Sequence, residues 1–579
     1  MIQLANKYST DYCIIVDDDA IPSERYAAEE CAHFLTEITG AYFPVYTSFY
    51  GKSCKKNIVI GYGVEAEKRG VVPDSELGSE GYEIKVVGND IVIAGGQPRG
   101  TLYGVYAFLE EDLGCRWFTP SVSYIPRKTA LVIHHIDRII KPALEYREVF
   151  YGAAFDGDWN ARNRLNGSND QLYIKHGGRM SYNRQLVHTF DNFVSADEYF
   201  EDHPEYFSLI DGKRLKQETQ LCLTNPDVLA IVKKKAREWT VSNPEATILS
   251  ISQNDFYNPC QCENCSKIDA YEGSHAGTMI WFVNQIAEEL EKDYPDLIID
   301  TLAYQYTRPA PKHIKPRPNV CVRLCSIECC FGHPLDQCDE IDPRYKDLIT
   351  PGASFQRDLK DWAKICDRVY IWDYVTNFRH YCMPFPNLDV LQPNIRFFIE
   401  NSVKGVFEQG NYSQGGGPDF NELRTWMLAK LLWNPECDIE KVRAEFMHAY
   451  FGKAAPALDH YLKLVHKKVR EENIHSGIYN TPDAIYITDD ILTKANDLFD
   501  EAEKLADNDE VLWRVQRARM SIRYMPMARH ITHEETDLAE VDDFMVSMDQ
   551  FNLTRISEWL SKDEERARIV ENMNKKNMK

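Results

Sequence analysis

The sequence contains no run approaching 18 apolar residues, which excludes a membrane-spanning helix. It has no excess of basic charge: 66 Lys and Arg stand against 89 Asp and Glu, a net charge of −23. A surface that acidic repels nucleic acid and anionic lipid, leaving neutral or cationic ligands open. The opening MIQLANKYSTDYCIIVDD lacks a basic segment followed by an apolar stretch, so no secretory leader is read there. The Gly-rich GNYSQGGGP (410–418) lacks the Lys-Ser/Thr ending of a phosphate-binding loop, and no dinucleotide fingerprint is present. Internal repeats and low-complexity linkers are missing as well. Cysteine, by contrast, is plentiful at sixteen residues, many inside apolar stretches (Cys13, Cys31, Cys222, Cys321 and Cys366) of a chain too long to need staples. That pattern reads as buried free thiols in a reducing compartment and, with no leader, as a cytoplasmic protein.

The chain has 579 residues, enough for roughly three to four domains. Three zones separate by pattern. Residues 1–139 alternate short β-rich runs such as YCIIV (12–16), KNIVIGYG (56–63) and DIVIAGG (90–96) with two helical stripes, Glu24–Ile38 and Arg99–Leu113. Gly114 ends the second stripe as a C-terminal glycine does. This is a small α/β domain. Residues 140–437 carry eight strand-like runs with helical patterns between several of them: ALEYREVF (143–150), LVHTF (186–190), YFSLI (206–210), TILSISQND (247–255), LIIDTLAYQY (297–306), VCVRLCSIE (320–328), RVYIWDY (368–374) and KGVFEQG (404–410). Eight strands with helical crossovers over some 300 residues predict a (β/α)8 barrel. Residues 438–579 hold no strand; Thr488 ahead of Asp489 and Asp490 reads as a helix N-cap within a helical C-terminal domain.

In such a barrel the reacting groups stand where strands end. That rule nominates Asn254-Asp255 after the fourth strand, Glu328 after the sixth, Asp373 at the seventh and Glu408 at the eighth. Tyr257, Tyr304, Trp372, Tyr374, Asn377 and Gln409 accompany them. Sugars need both kinds of residue, aromatic faces for their C–H surfaces and carboxylates or amides for their hydroxyls. Paired carboxylates suit cleavage of a glycosidic bond, one protonating the leaving oxygen and the other acting as base or nucleophile. The expected catalytic set is Asp255 as acid, Glu408 as second carboxylate and Asp373 orienting substrate or water. Arg147, Trp159, His188, Asn254, Tyr257, Tyr304, Trp372 and Asn377 are the expected substrate-binding residues, and the expected partner is an oligosaccharide or glycan. No cofactor is expected. Cys260, Cys262 and Cys265 form C-x-C-x2-C, which could hold zinc with a fourth ligand from Cys325, Cys329, Cys330, His333 or Cys338; unliganded thiols are the simpler reading, so no metal is assigned. The alternatives are a non-catalytic carbohydrate-binding protein on the same scaffold, an α-glucuronidase-like enzyme and, more remotely, a zinc-dependent hydrolase built on these cysteines.

QPRGTLYGVYAFLEEDLGCRWFTP (97–120) resembles the end of the N-terminal α/β domain that precedes the barrel in α-glucuronidases and β-hexosaminidases. LSISQNDFYNPCQCENC (249–265), YIWDYVTNF (370–378) and KGVFEQGNY (404–412) resemble a bacterial barrel family long labelled a domain of unknown function, some members of which form glycoside hydrolase family 163, endo-β-N-acetylglucosaminidases of complex N-glycans. The resemblance implies a glycoside hydrolase. β-Hexosaminidases carry Asp-Glu after strand four, where this chain has Asn254-Asp255; Asp255 matches the acid, and Asn254 could only hydrogen-bond an acetamido group. Arg147 resembles the strand-one arginine that holds sugar hydroxyls in that group.

Overall fold

The computed structural model describes residues 1–49, 55–345, 348 and 352–577. The N-terminal part is a six-stranded mixed sheet. Its strands are β1 (Tyr12–Val16), β2 (Val45–Thr47), β3 (Lys56–Ile60), β4 (Tyr82–Val87), β5 (Asp90–Gly95) and β6 (Asp137–Ile140), in the order β6-β4-β5-β3-β1-β2. The helix α1 (Pro22–Thr39) begins with Pro22, whose missing N–H costs nothing in a first turn. Of the stripe its sequence spacing predicts it buries Ala27, Cys31, Phe34 and Leu35, with Tyr26 half-buried, adds Ala28 and Ile38, and stops at Gly40 in the left-handed region (φ 70°). Of the cysteines in apolar runs, Cys31, Cys222, Cys321 and Cys366 are free thiols, whereas Cys13 is disulfide-bonded.

The central part is built on a second six-stranded sheet, all parallel: β7 (Tyr146–Phe150), β8 (Ile248–Ser250), β9 (Ile298–Ala303), β10 (Val320–Cys325), β11 (Val369–Tyr374) and β12 (Val403–Gln409), ordered β7-β12-β11-β10-β9-β8. These are six of the eight expected strands. The other two are not strands of this sheet. His188 takes a left-handed conformation (φ 57°) in the middle of LVHTF, and 206–210 ends in a two-residue antiparallel pairing with Lys213–Arg214. Between β7 and β8 run Asn/Arg/Gly-rich segments with no apolar alternation. The Asn166 N–H donates to the Arg147 carbonyl, the Met180 N–H to the Asn166 carbonyl, and Ile248 bonds both Ser181 and Asn183. The parallel sheet is thus a partial barrel in regular strands, its two edges approached by irregular chain.

Side chains alternate between the faces of this sheet. Tyr146, Ile248, Ile298, Cys321, Tyr370 and Phe407 gather on the concave face with Tyr182. Arg323, fully buried among them, pairs with Asp300 at 3.3 Å, and its guanidinium lies 5.2–5.4 Å from the rings of Tyr146, Tyr182 and Tyr370. This plug fills the middle of the sheet and leaves the open space at the strands' C-terminal ends. Ile371 and Val406, on the opposite parity, join the large core under the helices, which include Leu388–Glu400 and Asn421–Trp433.

From Ile439 onward the chain is helical apart from connecting segments, with long helices Ala455–Glu471, Asp489–Leu505 and Asp509–Thr532. The Thr488 hydroxyl accepts the Ile491 N–H, capping its helix as the sequence predicts. Among the described residues no helix is long and apolar enough to cross a membrane.

Candidate active site

A cavity of about 280 Å³ opens at the C-terminal ends of β9 to β12. Tyr304, Trp372, Tyr374, Phe378, Tyr479 and Trp559 form its aromatic walls, and His188, Gln409, Asp255 and Glu558 supply its polar groups. Trp372 and Tyr374 share the concave face because they are two residues apart on one strand. Their rings lie 6.2 Å apart and nearly parallel.

Two carboxylates face this cavity. Asp255 is exposed, and its Oδ1 accepts hydrogen bonds from the Tyr304 hydroxyl (2.9 Å) and the Gln305 amide (3.3 Å). The loop that carries it is clamped on both sides: the Gln220 amide donates to the carbonyls of Asn254 and Phe256, and its oxygen accepts the Asn254 N–H. Glu558 comes from the segment between the last two helices, far outside the barrel sequence. The Gln409 amide donates to Glu558 Oε1 (3.0 Å), while the Gln409 oxygen accepts the Trp372 indole N–H (2.8 Å). Burial pushes the Glu558 carboxyl up to about 7; the Gln409 hydrogen bond and Arg555 oppose that rise, and the charge of Asp255 adds to it. One acid held near neutrality opposite a second, among aromatic rings, is an arrangement able to protonate a leaving oxygen.

The structure brings together Asp255, His188, Tyr304, Trp372, Tyr374 and Gln409 of the residues nominated from sequence. The His188 ring is set by a 2.8 Å hydrogen bond between Nδ1 and the Gln253 carbonyl. Tyr257 stands beside the cavity; burial, Glu328 and Asp255 push its phenol up. The remaining nominations are elsewhere. Asp373 and Glu408 are register partners on adjacent strands, on the face opposite Trp372 and Gln409. There they are buried, 3% and 1% exposed, and Asp373 Oδ1 accepts the Ser326 hydroxyl at 2.6 Å. Burial lifts Asp373 to about 6, and burial with the Asp373 charge lifts Glu408 well above the usual carboxylate range. Glu328 is buried against Arg308 (2.9 Å), which also holds Asp358.

Arg147 is fully buried and does not reach the cavity. Its guanidinium pairs with Glu80 at 2.7 Å and donates to the carbonyls of Leu144 and Arg164. Trp159 is buried with its indole N–H on the Trp117 carbonyl. The side chain of Asn254 accepts the Asp191 N–H and donates to the Thr219 carbonyl, bonds that tie it to the surrounding loops, and it does not line the cavity. Asn377 bonds the backbone of Arg379, His380 and Asn480, fixing its own loop.

The Asp373–Glu408 pair has a consequence for stability. Both groups hold their protons more tightly folded than unfolded, so the folded chain binds more protons between the ordinary carboxylate range and their raised values. Stability therefore falls as pH rises from about 4 through 6 and above. Glu408→Gln, a neutral side chain of the same shape, is expected to raise Tm by roughly 1–3 °C at pH 8 and by less at pH 5. Thermal denaturation at the two pH values checks this; a loss of stability at pH 8 contradicts it.

The fold is similar to that of a solved glycoside hydrolase. A family GH115 4-O-methyl-α-glucuronidase with specificity for decorated arabinogalactans superposes with a TM-score of 0.57 at 11% identity, covering 96% of this chain and 78% of that one. A Clostridium perfringens enzyme solved with its substrate GlcNAc-α-1,4-galactose gives 0.47 at 11% identity, covering 91% and 64%. A Streptomyces plicatus β-hexosaminidase holding GlcNAc gives 0.42 at 13% identity, covering 78% and 91%. Residues 4–108 match the N-terminus of glycosyl hydrolase family 67. Residues 117–463, more than half of the chain, match the domain of unknown function DUF4838, and the chain belongs to that family. No curated protein matches the sequence.

Proposed function

We propose that the protein is a glycoside hydrolase that cleaves a glycosidic bond in an oligosaccharide or glycan, with Glu558 as general acid and Asp255 as the second carboxylate. The observation that carries this reading is the pair of acids in one aromatic-lined cavity, one of them held near pH 7. In this reading the irregular segments at Asn166 and Met180–Asn183 take the places of the second and third barrel strands, so the cavity is the barrel mouth. A sugar ring stacks on Trp372 or Tyr374, Glu558 protonates the departing oxygen, and Asp255, steadied by Tyr304, meets the charge that develops at the anomeric carbon or activates water.

Among the described residues, those lining the cavity include no Lys or Arg. A uronic acid carboxylate would face two acids there with no basic side chain in the lining, Arg555 acting on Glu558 from outside it, so a neutral sugar such as N-acetylglucosamine fits better than a glucuronide. An adjoining cavity of about 560 Å³ shares Tyr479 and Trp559 as its wall, which supports a substrate of more than one ring. Hydrolysis of a panel of aryl N-acetylglucosaminides, glucuronides, oligosaccharides and N-glycans tests the reading. Cleavage of an N-acetylglucosamine-containing member with glucuronides untouched is the expected result; glucuronide cleavage overturns the sugar, and glycan binding by calorimetry with no cleavage overturns the enzyme.

A further inference from the structure

Two groups of cysteine and histidine side chains, neither part of the catalytic reading, are gathered from distant parts of the chain. In the first, Cys222 joins Cys260, Cys262 and Cys265, with all four sulfur atoms within 4.8 Å of one another. The fourth member comes from 38 positions before the C-x-C-x2-C motif, not from the 325–338 region. In the second, Cys330, His333 and Cys338 of the segment after β10 meet His475 from the loop after the helix Ala455–Glu471, again within 4.8 Å. None of the six cysteines is in a disulfide.

We propose that the chain holds two structural zinc ions, one on Cys222, Cys260, Cys262 and Cys265 and one on Cys330, His333, Cys338 and His475. The spacings are those of tetrahedra. Zinc–sulfur bonds of about 2.3 Å place sulfurs about 3.8 Å apart, and a zinc–nitrogen bond of about 2.0 Å places nitrogen about 3.5 Å from sulfur. Cys222 Sγ lies 3.6 Å from Cys262 Sγ; Cys330 Sγ lies 3.4 Å from His333 Nδ1, and Cys338 Sγ 3.5 Å from His475 Nδ1.

The surroundings of the first group suit thiolates. Cys260 Sγ accepts the Leu209 N–H at 3.4 Å and faces the Arg214 guanidinium at 3.7 Å. Cys262 is the N-cap of the ten-residue helix Glu263–Glu272, and Cys265 lies in its first turn, where backbone N–H groups favour negative charge. The cysteines also stand where a small subdomain would keep its core: the buried cluster there consists of Cys222, Cys260 and Cys265, flanked only by Leu209 and Cys262. Small units with so little apolar material are held by metals or disulfides.

Each ion would brace one side of the cavity. Gln220, which clamps the backbone on both sides of Asp255, is two residues from Cys222. Ser476, next to His475, accepts the Phe331 N–H at 2.7 Å, and Tyr479 follows in the cavity wall. The ions would have no open position and would touch no substrate.

Elemental analysis of the full chain, purified with reductant and without chelator, is expected to find two zinc ions per chain. Cys265→Ser and Cys338→Ser should each retain one. After cobalt exchange, four of six thiolate ligands belong to the first site, so the thiolate-to-cobalt charge-transfer band should keep two-thirds of its intensity in Cys338→Ser and one-third in Cys265→Ser. One zinc lost only in Cys265→Ser would uphold the first site and overturn the second; the converse reverses that. Wild-type protein that takes up no stoichiometric zinc after dialysis against the metal, or non-reduced peptide maps that pair these cysteines with one another, overturns both. These readouts do not depend on any glycosidase activity.

Discussion

Glu558→Gln is expected to lower turnover of the cleaved glycan by about 10²- to 10⁴-fold, the usual contribution of a general acid. The KM should change little, because Gln keeps the size of the side chain and its hydrogen bond with Gln409. The pH profile adds a second signature. Glu558 acts as acid only while protonated, so the rate should decline above about pH 7, where its carboxyl ionises. Arg555 favours the ionised form of Glu558 and so holds that value down. Arg555→Met should therefore move the alkaline limb to higher pH, a displacement that a merely structural Arg555 would not produce. An unchanged alkaline limb in Arg555→Met, with turnover intact in Glu558→Gln, would remove Glu558 from the chemistry.

Arg147→Ala is expected to destabilise the fold by about 3 kcal/mol or more, the range for breaking one side of a buried ion pair. Glu80, 3% exposed, would retain Arg99 at 2.6 Å but lose the Arg147 guanidinium at 2.7 Å, and two buried carbonyls would lose their donor. Arg147→Lys should recover part of the loss, since an ammonium keeps the charge but not the planar fork. Chemical denaturation of the three proteins measures this. On the proposed function, the protein that remains folded should act on its substrate with unchanged KM. A raised KM at unchanged stability would instead place the guanidinium on the sugar.

The two predictions come from opposite outcomes of sequence reading. Long apolar runs bounded by polar residues identified the six regular central strands. The two misassigned runs, LVHTF and YFSLI, are short and weakly alternating; the chain that occupies their neighbourhood bonds through single backbone contacts and carries no periodic signal. Strand ends pointed to the end of the sheet where the cavity opens, but not to the face that lines it. In the WDY of β11, Trp372 and Asp373 are neighbours and point to opposite faces, so only one of them can reach the cavity. The same alternation separates Glu408 from Gln409. Applied to the sequence, it would have kept Trp372 and Gln409 and set the two acids aside. Glu558 had no such signal: RISEWLSKD is neither a strand end nor a motif, and it reaches Gln409 through long-range backbone bonds, Glu558 N–H to the Phe378 carbonyl and Tyr381 N–H to the Ile556 carbonyl. Arg147 was nominated by its place on the first strand, where parity again turns it away from the cavity and toward Glu80. The fourth cysteine of the C-x-C-x2-C group was equally invisible, because Cys222 lies beyond any local spacing rule.

The most direct measurement is a side-by-side determination of turnover for Glu558→Gln and Glu408→Gln on one cleaved glycan, with the folded fraction of each checked by thermal denaturation. The arrangement of the cavity predicts that Glu558→Gln loses at least about 100-fold while Glu408→Gln turns over at the wild-type rate. Loss confined to Glu408→Gln in a folded protein would contradict it and return the chemistry to the strand-end pair.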